Sequence, residues 1–456
     1  MINPKIFGDY DIRAVMGKDL DMDGVIKITR ALIYLYQPKV VAIGRDMRLT
    51  SDDIFKTMSE QLLKNRVDVL DLAKVSTDMV YFCAGLNKPD LAIMISASHN
   101  PSEYNGFKIV KKDAIAISGD SGIYDIRDCS LKPEIDLKIT GRSGVLKKID
   151  LYPAWIDFCF SKVDVKKIKP LTVVVDAGNG MGSQIIERIA SKLPLKIIPL
   201  YFDLDGSFPN HTPNPLKIEN LKVLIQTVKK QQADLGIAFD GDADRISFVD
   251  EKGKFISGTI TTALLASIIL KKYPKATVLY NAVCGRVVGQ TVEKLGGKPL
   301  RVRVGHTLIK EAMRASDGVF CGEHSGHYYY KDTNFSESAL LTFLYILELI
   351  SKESKPLSEL AAQYDVYVQS GEKNFEILEK NKLLDTIESE FKTKANTVDR
   401  LDGVSVWFSN WWFNIRPSNT EPLVRLNIEA DNQQILQQKQ PELIARLESW
   451  GAKMLH

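Results

Sequence analysis

The chain has 456 residues, 45% hydrophobic and 26% charged, the make-up of a globular protein too long for a single core. A formal net charge of +3 is too near balance for a broad nucleic-acid or membrane surface and leaves room only for a local basic pocket. Five scattered cysteines, with no CxxC pair, give no sign of a disulfide framework or a cysteine zinc site.

The opening segment, MINPKIFGDYDIR, lacks the apolar core of a secretion signal. It carries Tyr10 and Arg13 in an early loop, where an exposed arginine alone means little. An apolar strand at 39–44 is followed by RDMRLTS and a helix near SDDIFKTMSEQLLKN, with Thr50 and Asp53 at capping-box spacing. A second strand at 90–95 runs into SASHNPSEYNGFK. The polar stretch 130–150 marks a first boundary, so a first domain is expected over 1–140. Strands at 171–176 and 234–239 precede AGNGMG and DGDADR, and a turn at 249–258 closes a second domain over 141–250. Strands at 276–281, 300–304 and near 317–321 repeat the pattern in a third, 251–362. The longest apolar run, 260–270, is too short to cross a bilayer, so a cytoplasmic protein is expected. The sequons at Asn210 and Asn334 are accordingly read as chance matches. From 363 to 456, alternating segments at 404–417 and 423–430 predict an antiparallel sheet with helices. The fold class is therefore α/β: three α/β domains with mixed sheets and a C-terminal α+β domain. Ligands of such sheets gather beyond the carboxyl ends of the strands, where the polar loops fall.

FDGDADR carries the strongest chemistry. Asp240, Asp242 and Asp244 follow an apolar strand at alternate positions, and hard carboxylate oxygens so close call for Mg²⁺, Ca²⁺ or Mn²⁺. With Glu251 they match EF-hand positions, but Arg245 stands where glycine is required. A solvated acidic turn is the bland alternative. A phosphatase of the haloacid dehalogenase type, with Asp240 as nucleophile, is a third. Ser98 has no GxSxG elbow, and His99 beside it is poorly spaced as a base. On its own, SHNP reads as a turn. GEHSGH (322–327) offers Glu323, Ser325 and His327 to a polyol, or is only a glycine-rich turn. RPSNTEPLVR crowds Arg416, Ser418, Asn419, Thr420 and Arg425 into one turn suited to phosphate, or to nothing more than a strand connection.

YDIR, SASHNP, NGFK, DGDADR, GEHSGH and RPSNTEP in this order resemble the α-D-phosphohexomutase superfamily, within it the bacterial phosphomannomutase/phosphoglucomutase group. The motifs span residues 7 to 425. The resemblance implies four domains around a central cleft and a phosphoserine at Ser98. It implies Mg²⁺ held by that phosphate and the three aspartates, and a hexose 1,6-bisphosphate as intermediate and activator. Arg13, Lys108 and His327 would lie at the transfer site. Tyr10, His99, Arg245, Gly305, His306, Glu323 and Ser325 would meet the sugar, and Arg416, Ser418, Asn419, Thr420 and Arg425 its distal phosphate. The implied partner is a sugar phosphate, with no nucleic acid and no membrane, acted on by a monomer or homodimer. Ala14, Val283, Arg303 and His324 depart from common family choices and bear on which sugar is preferred. Mannose or glucose phosphate is expected, with glucosamine phosphate the nearest alternative and a non-catalytic sensor the furthest.

Overall fold

The computed structural model describes residues 1–137, 143–418 and 422–455. Four sheets follow one another along the chain. The first contains β1 (Ile12–Val15), β2 (Val40–Arg45), β3 (Asp68–Lys74), β4 (Leu91–Ile95), β5 (Tyr104–Lys111), β6 (Ile115–Ala116) and β7 (Leu146–Lys148). Its order is β1-β5-β4-β2-β3-β7, with β6 beside β5. The second has β8 (Leu171–Asp176), β9 (Leu195–Leu200), β10 (Leu235–Phe239), β11 (Ile246–Asp250) and β12 (Phe255–Ile256), ordered β12-β11-β10-β8-β9. The third has β13 (Thr277–Asn281), β14 (Lys298–Val302), β15 (Phe320–Gly322), β16 (Tyr328–Tyr330) and β17 (Ser336–Glu337), ordered β14-β13-β15-β16-β17.

In each of these sheets parallel strands carry an antiparallel edge, so all three are mixed. β4 and β10 are buried at every position, as strands covered on both faces must be, and both end at the loops of interest. The fourth sheet is antiparallel through its centre. It contains β18 (Val368–Gln369), β19 (Lys373–Glu376), β20 (Thr397–Asp399), β21 (Val404–Trp407), β22 (Trp411–Pro417), β23 (Leu423–Ala430) and β24 (Lys453–Met454). One apolar core runs continuously through the first three units, from Met79 through Ile186 to Leu344. The fourth keeps its own core around Phe375, Phe413 and Leu426.

Polar latches tie the fourth unit to the third. Arg301 forks onto both oxygens of Asp399 at 2.9 Å, and Asp402 accepts the Val304 amide at 2.8 Å. Arg286 donates from its amide (3.1 Å) and its Nε (3.0 Å) to Glu429, which also accepts Trp412 Nε1 at 2.8 Å.

Several expectations shift. The first sheet reaches past the break at 140, because β7 pairs with β3. The break at 250 falls inside the β11–β12 hairpin. The strand expected at 300–304 lies two residues earlier, because Val304 is drawn to Asp402 and Gly305 takes φ 130°. Thr50 makes no capping bond to its helix, Ser51–Lys64; its hydroxyl accepts Asn105 Nδ2 at 3.0 Å instead. The 260–270 run is part of the helix Gly258–Lys272, which is buried along most of its length. No helix among the described residues is long and apolar enough to cross a membrane. All five cysteines are free and buried.

Candidate active site

β4 delivers Ser98 into a buried turn where its backbone is left-handed, at φ 51°. A serine seldom adopts that conformation, so the surroundings must hold it there. Arg48 does much of the holding. Its guanidinium, with no exposed surface, donates to the carbonyls of Ser98 (2.8 Å), Asn100 (2.6 Å), Pro101 (2.7 Å) and Tyr104 (2.9 Å). Asp46 balances its charge from 3.2 Å. The Ser98 hydroxyl donates to Asp240 Oδ2 at 2.8 Å and lies 3.2 Å from His99 Nδ1. Burial holds His99 well below the usual imidazole range, so the ring is neutral.

Asp240, Asp242 and Asp244 are all buried, and one oxygen of each lies within 4.8 Å of the others. The turn brings its backbone so near the Ser98 loop that a Cβ on Gly241 would stand 2.6 Å from the Ser98 carbonyl, so only glycine fits. Lys108 on β5 reaches Asp242 Oδ2 at 2.7 Å and Asp244 Oδ2 at 2.5 Å. Thr77 Oγ1 adds a hydrogen bond to Asp242 at 2.5 Å. Lys108, His327 and Arg245 are the cations that face the three buried carboxylates, and Asp242 Oδ1 is buried without a hydrogen bond among the described residues. Hard oxygen donors so arranged fit a divalent metal. Glu251, the fourth EF-hand position, turns away to accept the amide of Ser358 at 3.1 Å, which rules that reading out.

Burial, reinforced by Asp244 and Asp242, pushes Asp240 well above the usual carboxylate range. Burial acts the same way on Asp244, but Lys108 and His327 outweigh it and hold that acid well below. Lys108 answers in kind: burial lowers it, the two aspartates raise it further, and it keeps its proton far above neutral pH.

His327 leaves the turn of GEHSGH with its Nε2 3.3 Å from Asp244 and its Nδ1 3.0 Å from Glu323. Burial and Arg245 push it down, yet the two carboxylates raise it to about 9. It is a second cation of the site. Arg245 Nε, 3.2 Å from the same Nε2, is then a like-charged neighbour. Ser325 Oγ lies 3.0 Å from His327 Nδ1. Glu323 also takes Tyr329 Oη at 2.7 Å and Asn281 Nδ2 at 3.2 Å; against the pull of burial, His327 first and then these two bring it to about 2.

From the other side, Arg13 binds Asp11 at 2.9 Å and Asn100 Oδ1 at 2.5 Å, which places it at the Ser98 loop. Tyr10 donates to the Val304 carbonyl at 3.1 Å and meets His306 edge-on at 6.2 Å. A Cβ at Gly305 would strike the Tyr10 ring at 2.6 Å. Both ring nitrogens of His306 are buried without a hydrogen-bond partner among the described residues.

The structure thus gathers Arg13, Ser98, His99, Lys108, the three aspartates, Arg245, Glu323, Ser325 and His327 in one place, with Tyr10, Gly305 and His306 alongside. Arg416 and Arg425 stand on the fourth sheet, facing each other across β22 and β23. Both pair with Glu372, at 3.2 and 3.4 Å. Ser418 is buried behind them, its carbonyl accepting Lys380 Nζ at 2.6 Å. Asn419 and Thr420 lie outside the described residues. Burial keeps His324 neutral, and it feels the charges of Glu372 and Arg416, so the third-unit loop lies close to these arginines.

Sequence reasoning missed Arg48, Thr77 and Glu372. Arg48 had a signal: RDMR follows β2 at the same strand end that carries function elsewhere. Thr77 had none, because its partner is 165 positions away.

Four units converging on a serine, a triad of acids and paired arginines define a phosphoryl-transfer enzyme. Models of the phosphoglucomutase/phosphomannomutase alpha/beta/alpha domains I, II and III match residues 4–131, 153–253 and 257–367, and the model of the C-terminal domain matches 372–446. A phosphomannomutase of Escherichia coli (strain K12) is 36% identical over 430 residues, 93% of this chain and 94% of that protein. A phosphomannomutase of Methanocaldococcus jannaschii is 36% identical over 449 residues, 97% and 98% of the two chains. The crystal structure of a phosphoglucomutase/phosphomannomutase family protein from Burkholderia thailandensis superposes with a TM-score of 0.90 at 32% identity, covering 100% of both chains. The chain belongs to the phosphoglucomutase/phosphomannomutase family of the α-D-phosphohexomutase superfamily and is a hexose phosphate mutase.

Proposed function

We propose that the protein moves a phosphoryl group reversibly between the 1- and 6-positions of mannose or glucose phosphate, by way of a phosphoserine at Ser98 and a hexose 1,6-bisphosphate. One observation carries the reading: the Ser98 hydroxyl bonds Asp240 inside a cluster of three buried aspartates. Neutral His99, 3.2 Å from the Ser98 hydroxyl, is placed to accept its proton, so the imidazole alone does not separate a nucleophile from a carrier; the surrounding charge does. A phosphate carrier needs cations around it, and cations are what this site has.

Asp240, Asp242 and Asp244, with the phosphate on Ser98, would hold Mg²⁺. When bound, the ion neutralises the carboxylates and polarises the phosphoryl group. Lys108 and His327 keep their protons at neutral pH, so their role is charge stabilisation at the transfer point. Arg13 and Arg245 add to it, and His99 lines the serine. Glu323, Ser325, His306, Gly305 and Tyr10 face the sugar ring. Arg416, Ser418, Asn419, Thr420 and Arg425 take the distal phosphate. The first transfer forms the bisphosphate, the sugar turns over, and the second transfer returns the other phosphate to Ser98. The names of the relatives support mannose phosphate. We take the enzyme to work in the cytoplasm as a monomer or homodimer, with unit boundaries near 150, 256 and 367.

Mass spectrometry of active protein tests the carrier directly. The peptide containing Ser98 is expected to carry one phosphate, and Ser98→Ala is expected to lose at least about 10³-fold in kcat. An unmodified serine in active enzyme, or an active Ser98→Ala, overturns the mechanism. Parallel assays with mannose, glucose and glucosamine 1-phosphates, each primed with a bisphosphate, assign the sugar.

A further inference from the structure

Arg416 and Arg425 are direct cross-strand partners, and like charges placed so repel. Glu372 lies just before β19 and answers both. Its Oε2 is 3.2 Å from Arg416 and its Oε1 is 3.4 Å from Arg425. These contacts are longer than the 2.7–2.9 Å or so of a strong charge-assisted bond. The Glu372 side chain is 31% exposed, which weakens the bridge further. Arg416 Nε is buried and has no hydrogen-bond partner among the described residues. The residue before Glu372 is Gly371, at φ 67°, a left-handed backbone that favours glycine.

We propose that Glu372 is an internal stand-in for the distal phosphate of the sugar. Its carboxylate bridges the two arginines when no phosphate is bound and gives way when one arrives. The proposal rests on the phosphate-clamp reading above. A phosphate dianion brings more charge and more acceptor oxygens than one carboxylate, so it wins the arginines when the sugar is present. The stand-in matters most in mid-cycle. The bisphosphate must release its held end in order to turn, and a competing carboxylate a few ångströms away makes that release cheap. Without it the clamp would bind tighter and let go more slowly.

The test is steady-state kinetics of the full-length enzyme carrying Glu372→Gln, which keeps the shape and removes the charge. KM for the hexose 1-phosphate and the inhibition constant of inorganic phosphate are both expected to fall at least threefold, with kcat falling too. Glu372→Asp, which retracts the charge by one methylene, should move both constants the same way by less. Thermal melting of each variant checks that the fold is kept. Constants that stay put or rise in both variants overturn the proposal. Arg416→Gln separates the two readings. If it leaves KM and phosphate inhibition unchanged, the clamp itself fails and the stand-in with it. If it raises KM while the Glu372 variants do nothing, the clamp stands and only the stand-in falls.

Discussion

Lys108 sits where electrostatics demands a cation, 2.7 and 2.5 Å from two buried aspartates. Replacing it with methionine keeps most of the bulk, leaves Asp242 without its lysine partner and leaves Asp244 to His327. Removing one partner of a buried ion pair typically costs about 3–5 kcal/mol. Urea denaturation of Lys108→Met should show a loss of that order, and Mg²⁺ should restore part of it. An unchanged midpoint would mean the aspartates do not depend on the lysine. In the sequence Lys108 was only the end of NGFK; the neighbouring charges that give it meaning lie 134 and 136 positions away. The three aspartates stood out because they follow a buried strand, and strand ends are where such sheets place their chemistry; Ser98 alone read as a turn and was singled out only by the family resemblance. Thr77 acts through a partner 165 positions away, and no local pattern announces that.

The helix Thr77–Leu86 is buried along nearly its whole length, including an acid in its first turn. Burial pushes Asp78 up to about 8 against the hydrogen bond from Ser76, with nearby Asp244 adding to the rise. A carboxyl raised on folding contributes stability that is complete below its unfolded value near 4 and is lost as pH climbs through about 8. Asp78→Asn cannot ionise. Its melting temperature relative to the parent protein should therefore improve by at least about 3 °C from pH 5 to pH 8. A gap that stays constant with pH would refute the buried, protonated acid. Elements were legible in proportion to their apolar content. β4, β8 and β10 stand out as hydrophobic runs. β7 is Leu-Lys-Lys with every residue exposed, and β12 has two residues, so neither leaves a periodic trace. They lie in the polar stretch and the turn from which the breaks at 140 and 250 were drawn, which is why those breaks cut through sheets.

Among the described residues, the fourth unit shares no large apolar core with the other three and is held by polar latches. Arg301 is the firmest of these, and it also binds Ser405 at 2.7 Å. Interfaces of this kind permit hinge motion. Solution scattering should show a smaller radius of gyration with sugar phosphate than without, and Arg301→Met should enlarge the free form and raise KM several-fold. Identical profiles in every state would argue against closure. The four-unit plan was legible from the repeated strand–loop–helix order; the latches were not, because their partners are separated by about a hundred residues of unrelated sequence.

The five buried cysteines have a practical consequence. Burial lifts the thiols of Cys83 and Cys284 to about 12 and raises Cys129, Cys159 and Cys321 as well, so none is a ready nucleophile in the folded state. Two lie in the first unit, one in the helix Tyr152–Phe160 that opens the second, two in the third, and none in the fourth. Alkylation by a thiol reagent therefore registers the opening of the first three units and stays silent when the last one swings or melts by itself. The chain carries its own gauge for telling those two events apart.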